Sequence, residues 1–270
     1  MTHTVEVAHY YDRLTKLFLR AGLTKRTGAI HRVVRLPAQF DIEIADGDAV
    51  HALLVRELHA LPTLDAVADL GCGVGASMRA VVAAVAPSTH VSGITISAFQ
   101  AAQVSVGSVL VASFDELPYA DASLDAVWAI ESFAHARNPR QFFAEVARVL
   151  RPGGRCIICD DMRVSERTSP FIQAFQQGWM VPNIATVVHH QHHALDAGLT
   201  LCNRIDLSAG LRIRALPSWI ASWIVDHALP RVWSSLFLRS MIGSMALQQC
   251  YQQQVMCYEF IVFEKHHAST

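Results

Sequence analysis

Charged residues are scarce in this chain of 270 residues. Asp, Glu, Lys and Arg together make up only 17% of the positions, and the formal net charge is −1 at pH 7. A protein that grips nucleic acid needs clustered lysine and arginine to neutralise phosphates, so we expect no nucleic-acid partner. Hydrophobic residues reach 52%, which excludes a disordered chain and is ample for a sizeable core.

The sequence also lacks long hydrophobic runs. Its first residues contain no apolar segment of the kind that forms the core of a secretory signal. No apolar run reaches the roughly 18 residues that a transmembrane helix needs, and the best candidate, 215–225, is stopped by Asp226. We therefore expect a cytoplasmic protein without a transmembrane segment, in which the six cysteines are reduced thiols.

Two patterns resemble metal-ligand spacings, but neither predicts a metal site. Cys156 and Cys159 are separated as C-x-x-C, yet they lie in a predicted strand, where an odd separation points them to opposite faces. Zinc usually takes such a pair from a turn. His189 and His193 share one face of a predicted helix, but no acid or cysteine stands at a supporting spacing. A polar helix that carries histidines explains this pair without a metal.

Strands and helices alternate through the middle of the chain. The pattern predicts helices over 5–22 and 46–61, followed by strands over 66–70, 90–96, 108–113, 124–130 and 154–160 with helices between them. This alternation indicates right-handed βαβ units and a parallel sheet covered on both faces. Ligands bind outside the carboxyl ends of such strands. Beyond residue 161 the pattern predicts helices over 170–180, 184–197 and, in pieces, 217–254, then a last strand over 255–263.

A glycine-rich segment follows the first of these strands. It is Val67-Ala-Asp-Leu-Gly-Cys-Gly-Val-Gly-Ala-Ser77. Gly71 and Gly73 allow a tight turn in which the backbone approaches a ligand. The dinucleotide fingerprint places its third glycine one residue later than Gly75, so the spacing argues against a nicotinamide cofactor. Taken alone, the segment is also compatible with an ordinary glycine turn after a strand.

With Asp69 before it, this segment resembles motif I of the class I S-adenosylmethionine-dependent methyltransferases. VSGITIS at 91–97 and the stretch 114–154, with Ala129-Ile-Glu-Ser-Phe-Ala-His135 and LRPGGR, resemble the branch that holds sterol and γ-tocopherol methyltransferases and cyclopropane synthases. The resemblance implies an α/β Rossmann-like fold, with a mostly parallel seven-stranded sheet flanked by helices. It implies one domain, 1–270: N-terminal helices over 1–62, a cofactor-binding core over 63–162, and a helical cap with the last strands over 163–270.

The same resemblance implies how S-adenosylmethionine is held. Asp69 can meet the cationic amine, Thr95 and Gln100 stand where this branch contacts ribose, and Ser113 replaces the family's adenine-binding Asp. Asp115 or Glu116 could take over that Asp's role in another loop register. The segment 97–117 is shorter than the family usually shows, which predicts a truncated helix after the second strand. The expected cofactor-binding residues are Asp69, Gly71, Cys72, Gly73, Thr95, Ile96, Gln100, Ser113, Phe114 and Ile130.

Methyl transfer makes different demands on the protein for different acceptor atoms. An oxygen or nitrogen needs a base, whereas an alkene or aromatic carbon becomes a cation that needs a carboxylate or an aromatic face before a base removes a proton. Glu131 and His135 follow the fourth strand and suit either task, although both could be solvated loop side chains. Tyr10 and Tyr11 resemble the N-terminal tyrosine element of cyclopropane synthases, and are equally explained as the apolar face of their helix.

The last third of the chain is rich in aromatic and methionine side chains. Such a stripe is often core, but a lid over an apolar substrate needs the same surface. The expected substrate-binding residues are Trp179, Trp219, Trp223, Met241 and Met245. Our first hypothesis is C-methylation of an isoprenoid, a sterol-like molecule or another lipophilic natural product. The alternatives are O- or N-methylation of an aromatic natural product, and a cofactor-binding cyclase or scaffold that transfers no methyl group. A homo-oligomer is left open.

Overall fold

The computed structural model describes residues 3–20, 34–36, 49–182, 184–232 and 234–266. The predicted end of the first helix at 21–22 and the predicted start of the second at 46–48 lie outside them. The helices are α1 His3–Arg20, α2 Ala49–His59, α3 Ala76–Ala84, α4 Ala98–Ala101, α5 Pro139–Val149, α6 Pro170–Trp179, α7 Val187–Asp196, α8 Ser218–Trp223 and α9 Leu236–Gln252. The strands are β1 Ala66–Leu70, β2 His90–Thr95, β3 Ser108–Val111, β4 Leu124–Ile130, β5 Leu150–Arg163, β6 Leu199–Asp206 and β7 Met256–Lys265.

These strands form a single seven-stranded sheet in the order β3-β2-β1-β4-β5-β7-β6. The pairs from β3 to β5 are parallel, and β7 runs antiparallel between β5 and β6. This confirms the predicted mostly parallel sheet. The chain leaves β1 toward β2 and later returns to β4 on the other side of β1, which places a crevice at the carboxyl ends of these two strands.

Two hydrophobic cores cover the two faces of the sheet. Trp128 and Cys159 belong to the core beneath α2, α3, α6 and α9, whereas Cys156 belongs to the core beneath α5 and α7. Alternate residues of β4 and β5 therefore enter different cores, as strand geometry requires. The expectation that Cys156 and Cys159 point to opposite faces is confirmed.

The structure differs from the sequence prediction chiefly in the last third. β6 was not predicted, because this edge strand has only half of its residues facing the protein and carries polar side chains at several of its positions. β5 is also longer than predicted at both ends. The truncated helix after β2 is confirmed, since α4 has only four residues. Within the described residues, no helix is long and apolar enough to cross a membrane.

The helices α6 and α9 cross at a contact between two glycines. A Cβ atom built on Gly178 would lie 2.6 Å from Gly243 Cα and 2.8 Å from the Arg239 carbonyl oxygen. The Gly178 carbonyl also accepts a hydrogen bond of 3.0 Å from the Tyr10 hydroxyl. Because Gly178 and Gly243 have no side chains, α1, α6 and α9 pack closely on one side of the crevice.

We predict that Gly178→Ala lowers the free energy of unfolding by about 1–3 kcal/mol because the added methyl forces the two helices apart. Helix propensity alone predicts the opposite sign, since alanine favours helix over glycine. Urea denaturation followed by circular dichroism would measure the change. Gln177→Ala, at an exposed position of the same helix, is the control and should change stability little. A stabilised Gly178→Ala variant would contradict this packing.

Candidate active site

A cavity of about 560 Å³ lies at the carboxyl ends of β1, β2, β4 and β5. This volume is within the range of pockets that enclose small molecules. The β1–α3 and β4–α5 loops form its floor, and α1, α6 and α9 cover it from the other side. The cavity thus occupies the crevice that the strand order predicts.

The glycine-rich loop leaves room beside its backbone. Gly71, Gly73 and Gly75 all have positive φ angles, of 92°, 53° and 79°, which side chains disfavour. A Cβ built on Gly71 would lie 2.5 Å from the Cβ of Ser132, whereas one built on Gly73 meets no atom within 4 Å. Gly71, Cys72 and Gly73 all line the cavity. The loop therefore needs Gly71 for its own packing and presents Gly73 to open space.

Asp69 lies beneath this loop rather than on the cavity wall. Its side chain is buried and accepts a hydrogen bond from the hydroxyl of Ser77, at the start of α3. Ser77 lines the cavity and Asp69 does not. In this structure Asp69 holds the loop and the helix together, and its contact with a cofactor amine stays a prediction.

Thr95 and Gln100 meet at the end of β2, as the sequence predicts for a ribose site. The Thr95 hydroxyl donates to Gln100 Oε1 at 2.9 Å, and Gln100 Nε2 donates to the hydroxyl of Thr15 in α1 at 2.9 Å. A second link joins the same elements, because the Ser97 hydroxyl donates to Asp12. These hydrogen bonds therefore hold α1 over the part of the cavity that Thr95 and Gln100 line.

Ser113 and Phe114 lie on the cavity wall, as expected for an adenine site. The Ser113 hydroxyl donates to Asp115 Oδ2 at 3.1 Å, and Asp115, which the sequence analysis named as a substitute, also lines the cavity. The Phe114 ring packs edge-on against Phe142, with centroids 5.5 Å apart. Ile96 and Ile130 complete the set of expected cofactor-binding residues that reach the wall.

Glu131 and His135, which follow β4, also line the cavity. Glu131 directly follows β4 with a φ of 52°, a left-handed conformation that is uncommon for a residue with a side chain and is often found at functional sites. Its backbone amide donates to the Cys159 carbonyl at 2.8 Å, and its Oε1 accepts from the Tyr258 hydroxyl at 2.9 Å. His135 ends the short 3₁₀ turn Phe133–His135.

The two neighbouring tyrosines of α1 take different positions. Tyr11 lines the cavity, and its hydroxyl lies 2.5 Å from His135 Nε2. Burial, with help from nearby Tyr10, Asp160 and Glu131, raises the pKa of Tyr11 well above its usual value, so the phenol keeps its proton. Tyr10 is buried between α1 and α6 and does not reach the cavity wall. The structure therefore brings only Tyr11 to His135.

Two acidic residues that the sequence analysis missed also line the cavity. Asp160 and Asp161 lie in β5, close to the carboxyl edge where Glu131 follows β4. Asp160 accepts hydrogen bonds from the backbone amides of Ala134, at 2.9 Å, and Asp161, at 2.8 Å. Burial, reinforced by Asp161 and Glu131, raises the pKa of Asp160 to about 7. Their signal in the sequence was a pair of acids at the end of a predicted strand in a parallel sheet.

The expected substrate-binding residues divide into two groups. Trp179 and Met241 line the cavity, and Trp179 Nε1 donates to the Ser244 hydroxyl at 3.2 Å. Trp219 and Trp223 lie outside it and are 76% and 59% exposed, because α8 buries its Ala221 side. Met245 packs against the core instead of the cavity. The apolar wall therefore comes from α6 and α9 rather than from α8.

The histidines of α7 do not join this site. His189 and His193 pack edge-on with ring centroids 4.8 Å apart, while His190 is buried against Phe133. Burial lowers the pKa of His190 to about 3, and His189 and His193 add to this effect. Among the residues that the structure describes, no group of three or more His, Cys, Asp or Glu side chains could hold a metal ion.

Comparison with known proteins agrees with this geometry. A family model described as a methyltransferase domain matches residues 68–158. The chain is 32% identical to methyltransferase GfsG of Streptomyces halstedii over 219 residues, which cover 77% of each protein. The chain belongs to the S-adenosylmethionine-dependent methyltransferases.

Two further comparisons report a similar sequence and a similar fold. The chain is 29% identical to sterol methyltransferase-like 2 of Botryococcus braunii over 169 residues, which cover 57% of the chain and 43% of the algal protein. The chain thus spans less than half the length of that relative. Its fold matches a solved geranyl diphosphate methyltransferase in complex with geranyl diphosphate and sinefungin, with a TM-score of 0.72, 20% identity, and coverage of 97% and 98% of the two chains.

The cavity fits the cofactor that this family uses. S-adenosylmethionine needs close backbone approach for its amino-acid tail, and Gly73 leaves that space open. Hydroxyl, amide and carboxylate groups for the ribose and adenine line the adjoining wall at Thr95, Gln100, Ser113 and Asp115. We propose that these residues hold the cofactor in this methyltransferase.

We predict that Gly73→Val weakens S-adenosylmethionine binding by more than about tenfold, because the side chain fills the space that the ligand needs. Isothermal titration calorimetry would measure the affinity. Gly198→Val is the matched control: Gly198 also has a positive φ, of 83°, and no atom within 4 Å of a built Cβ, but it does not line the cavity. Wild-type affinity in a folded Gly73→Val variant would contradict the cofactor site.

The buried Asp160 predicts a pH dependence of stability. A carboxyl whose pKa is raised to about 7 in the folded protein, against about 3.9 in the unfolded chain, stays protonated in the fold while the unfolded chain releases its proton. The contribution of Asp160 to the free energy of unfolding is fully present below pH 4. It is lost as the pH rises through 7, by at most about 1.4 kcal/mol per pH unit.

The Asp160→Asn variant should therefore lose less stability than the wild type between pH 4 and pH 7. Denaturant unfolding across this range would measure the slope, and Asp226→Asn at an exposed position controls for the change in net charge. Identical slopes in the wild type and in Asp160→Asn would show that Asp160 does not titrate in this way.

Proposed function

We propose that this methyltransferase transfers a methyl group from S-adenosylmethionine to a carbon atom of a lipophilic small molecule. The observation that carries the proposal is the composition of the cavity wall. Apolar and aromatic side chains of α1, α6 and α9 face three carboxyl groups, those of Glu131, Asp160 and Asp161. Such a wall suits an apolar substrate on which positive charge develops.

The bound cofactor supplies an electrophilic methyl group on a sulfonium. Addition of that methyl to an alkene or an aromatic carbon leaves a cation on the substrate, which nearby negative charge and aromatic faces stabilise. The Glu131 carboxylate is held toward the cavity by the Tyr258 hydroxyl. The rings of Tyr11 and Trp179 line the same space. We assign cation stabilisation to these groups.

A proton must then leave the substrate carbon. Glu131 and His135 are the two candidate acceptors, because both reach the cavity and both follow the carboxyl end of β4, where the substrate is expected. His135 is oriented by the Tyr11 hydroxyl, and Glu131 by Tyr258. Removal of the proton by either group would restore a neutral product in the cavity that α1 covers.

The chemical character of the side chains in the cavity wall also favours one class of substrate over others. Val7, Leu14, Phe175, Val181 and Leu247 contribute apolar surface. Among the described residues that line the cavity, Arg137 is the one guanidinium or ammonium group, whereas a diphosphate would need several cations. This favours an isoprenoid, a sterol-like molecule or a similar neutral natural product over a prenyl diphosphate. The similarity to an algal sterol methyltransferase-like protein supports the same choice.

One observation favours a second candidate, methyl transfer to oxygen or nitrogen of an aromatic natural product. The pair of Tyr11 and His135 resembles an oriented general base, which a hydroxyl or amine acceptor requires. In that reaction no substrate cation forms, and the carboxyl groups would only bind or orient the acceptor. The products of variants distinguish the two reactions.

We predict that Glu131→Gln or His135→Ala lowers the rate about 10²–10⁴-fold while the affinity for S-adenosylmethionine stays near wild type. For C-methylation, the weakened base should also divert the cation into altered alkene isomers or cyclised products. For O- or N-methylation, the variants should only be slower. A screen of lipophilic acceptors with radiolabelled S-adenosylmethionine, followed by mass spectrometry and NMR of the products, would measure both outcomes.

Glu166→Gln and His192→Ala, at exposed positions outside the cavity, are the matched controls and should behave as wild type. Unchanged rate and products in both cavity variants would contradict the assigned roles. Conversion of an acceptor without incorporation of label would instead indicate a cofactor-binding cyclase.

A further inference from the structure

The segment around α8 exposes an unusual amount of apolar surface. Trp219 is 76% exposed and Trp223 59%. They lie four residues apart on one side of the helix, so their indole rings project in the same direction. Ile213 and Leu216 precede them, and Leu238 and Met241 on α9 are also exposed. Nothing in the proposed reaction uses these two tryptophans, because they lie outside the cavity.

Exposed arginines flank this apolar segment in the sequence. Arg212 and Arg214 lie just before α8, Arg231 lies after it, and all three are exposed. Across the described residues from 211 to 241, Asp226 is the one acidic side chain. The chain as a whole has a net charge of −1, so this excess of positive charge is local.

This surface borders the mouth of the cavity. Met241 lines the cavity and is also 52% exposed. The backbone amide of Arg214 donates to Gln248 Oε1 at 2.8 Å, and Gln248 lines the cavity. The segment before α8 is therefore attached to the cavity wall, with its arginines and Trp219 on the outside.

We propose that the side chains of Ile213, Leu216, Trp219, Trp223, Leu238 and Met241, with Arg212, Arg214 and Arg231, form a docking face that binds the surface of an anionic lipid bilayer. Tryptophan favours the interface between lipid headgroups and acyl chains, and arginine is attracted to anionic headgroups. If the substrate is lipophilic, as the proposed function holds, it would then pass from the bilayer along Met241 into the cavity.

The charge pattern favours a bilayer over a second copy of the chain. In a two-fold symmetric dimer the same surface meets itself, which would bring arginines of one copy near those of the other with only Asp226 to offset them. An anionic membrane neutralises all three arginines at once. The lipid surface is therefore the occupant that matches both the apolar and the charged part of the docking face.

Co-sedimentation with lipid vesicles tests this proposal without substrate or cofactor, so its outcome is independent of the proposed reaction. The wild type should bind vesicles of phosphatidylcholine mixed with phosphatidylglycerol more tightly than vesicles of phosphatidylcholine alone. Its tryptophan emission should shift to shorter wavelength on binding. Trp219→Ala with Trp223→Ala should weaken binding by about tenfold or more. Arg212→Gln, Arg214→Gln and Arg231→Gln should each weaken it about fivefold, but only on the anionic vesicles.

Val188→Ala with Leu195→Ala is the matched control. Both side chains are more than half exposed on α7, which covers the opposite face of the sheet, and their removal should leave vesicle binding unchanged. Circular dichroism would confirm that each variant is folded. The proposal is overturned if the wild type does not bind anionic vesicles, or if the tryptophan variant binds them as the wild type does. A wild-type dimer in analytical ultracentrifugation that dissociates on replacing the tryptophans would also overturn it, and would make the face a contact between copies.

Discussion

The close approach of β1 and β4 at their carboxyl ends is the constraint on which the site depends. The Ser132 hydroxyl donates to the Leu70 carbonyl at 2.6 Å, and this hydroxyl occupies the place where any side chain on residue 71 would lie. Glycine at 71 therefore lets the two strand ends be joined while the chain turns away from β1. The turn carries Cys72 and Gly73 to one side of the crevice, and the residue before Ser132 is Glu131. One local contact thus sets the distance between the cofactor loop and the acidic side of the cavity.

The helix α1 connects the two halves of that cavity. Its Asp12 and Thr15 bind the Ser97 and Gln100 side chains at the end of β2, where the cofactor ribose is expected. Tyr11, one turn before Thr15, contacts His135 on the side of the cavity where the acceptor is expected. Because a helix is rigid over this length, the contacts that hold α1 at the expected ribose site also fix the position of Tyr11 beside His135.

The sequence predicts the parts of this structure that depend on local pattern. Buried strands bounded by turns and the glycine loop follow from composition and spacing, and the truncated helix after β2 follows from the short length of its segment relative to the family. The contacts made by distant residues do not. Tyr258 lies 127 residues from Glu131, and no local pattern links them. Asp160 and Asp161 were not recognised as site residues, although their position at the carboxyl end of a predicted strand could have identified them. The helical spacing of Trp219 and Trp223 is compatible with a cavity wall and with an exposed surface. Only the packing of α8 on the rest of the protein decides which of these two locations they take.

The acidic side of the cavity illustrates how a chain with few charges concentrates them. Burial raises the pKa of Asp160 to about 7, and the neighbouring carboxyl groups of Asp161 and Glu131 add to this effect. The backbone amides of Ala134 and Asp161 and the hydroxyls of Tyr251 and Tyr258 offset part of that cost through hydrogen bonds. A proton on Asp160 relieves part of the remaining repulsion, and a positive charge in the cavity relieves more of it. If the acceptor is a carbon atom, as we propose, a neutral lipophilic substrate gains little from these groups but a cation formed on it gains much, and a difference of this kind between substrate and transition state lowers a reaction barrier.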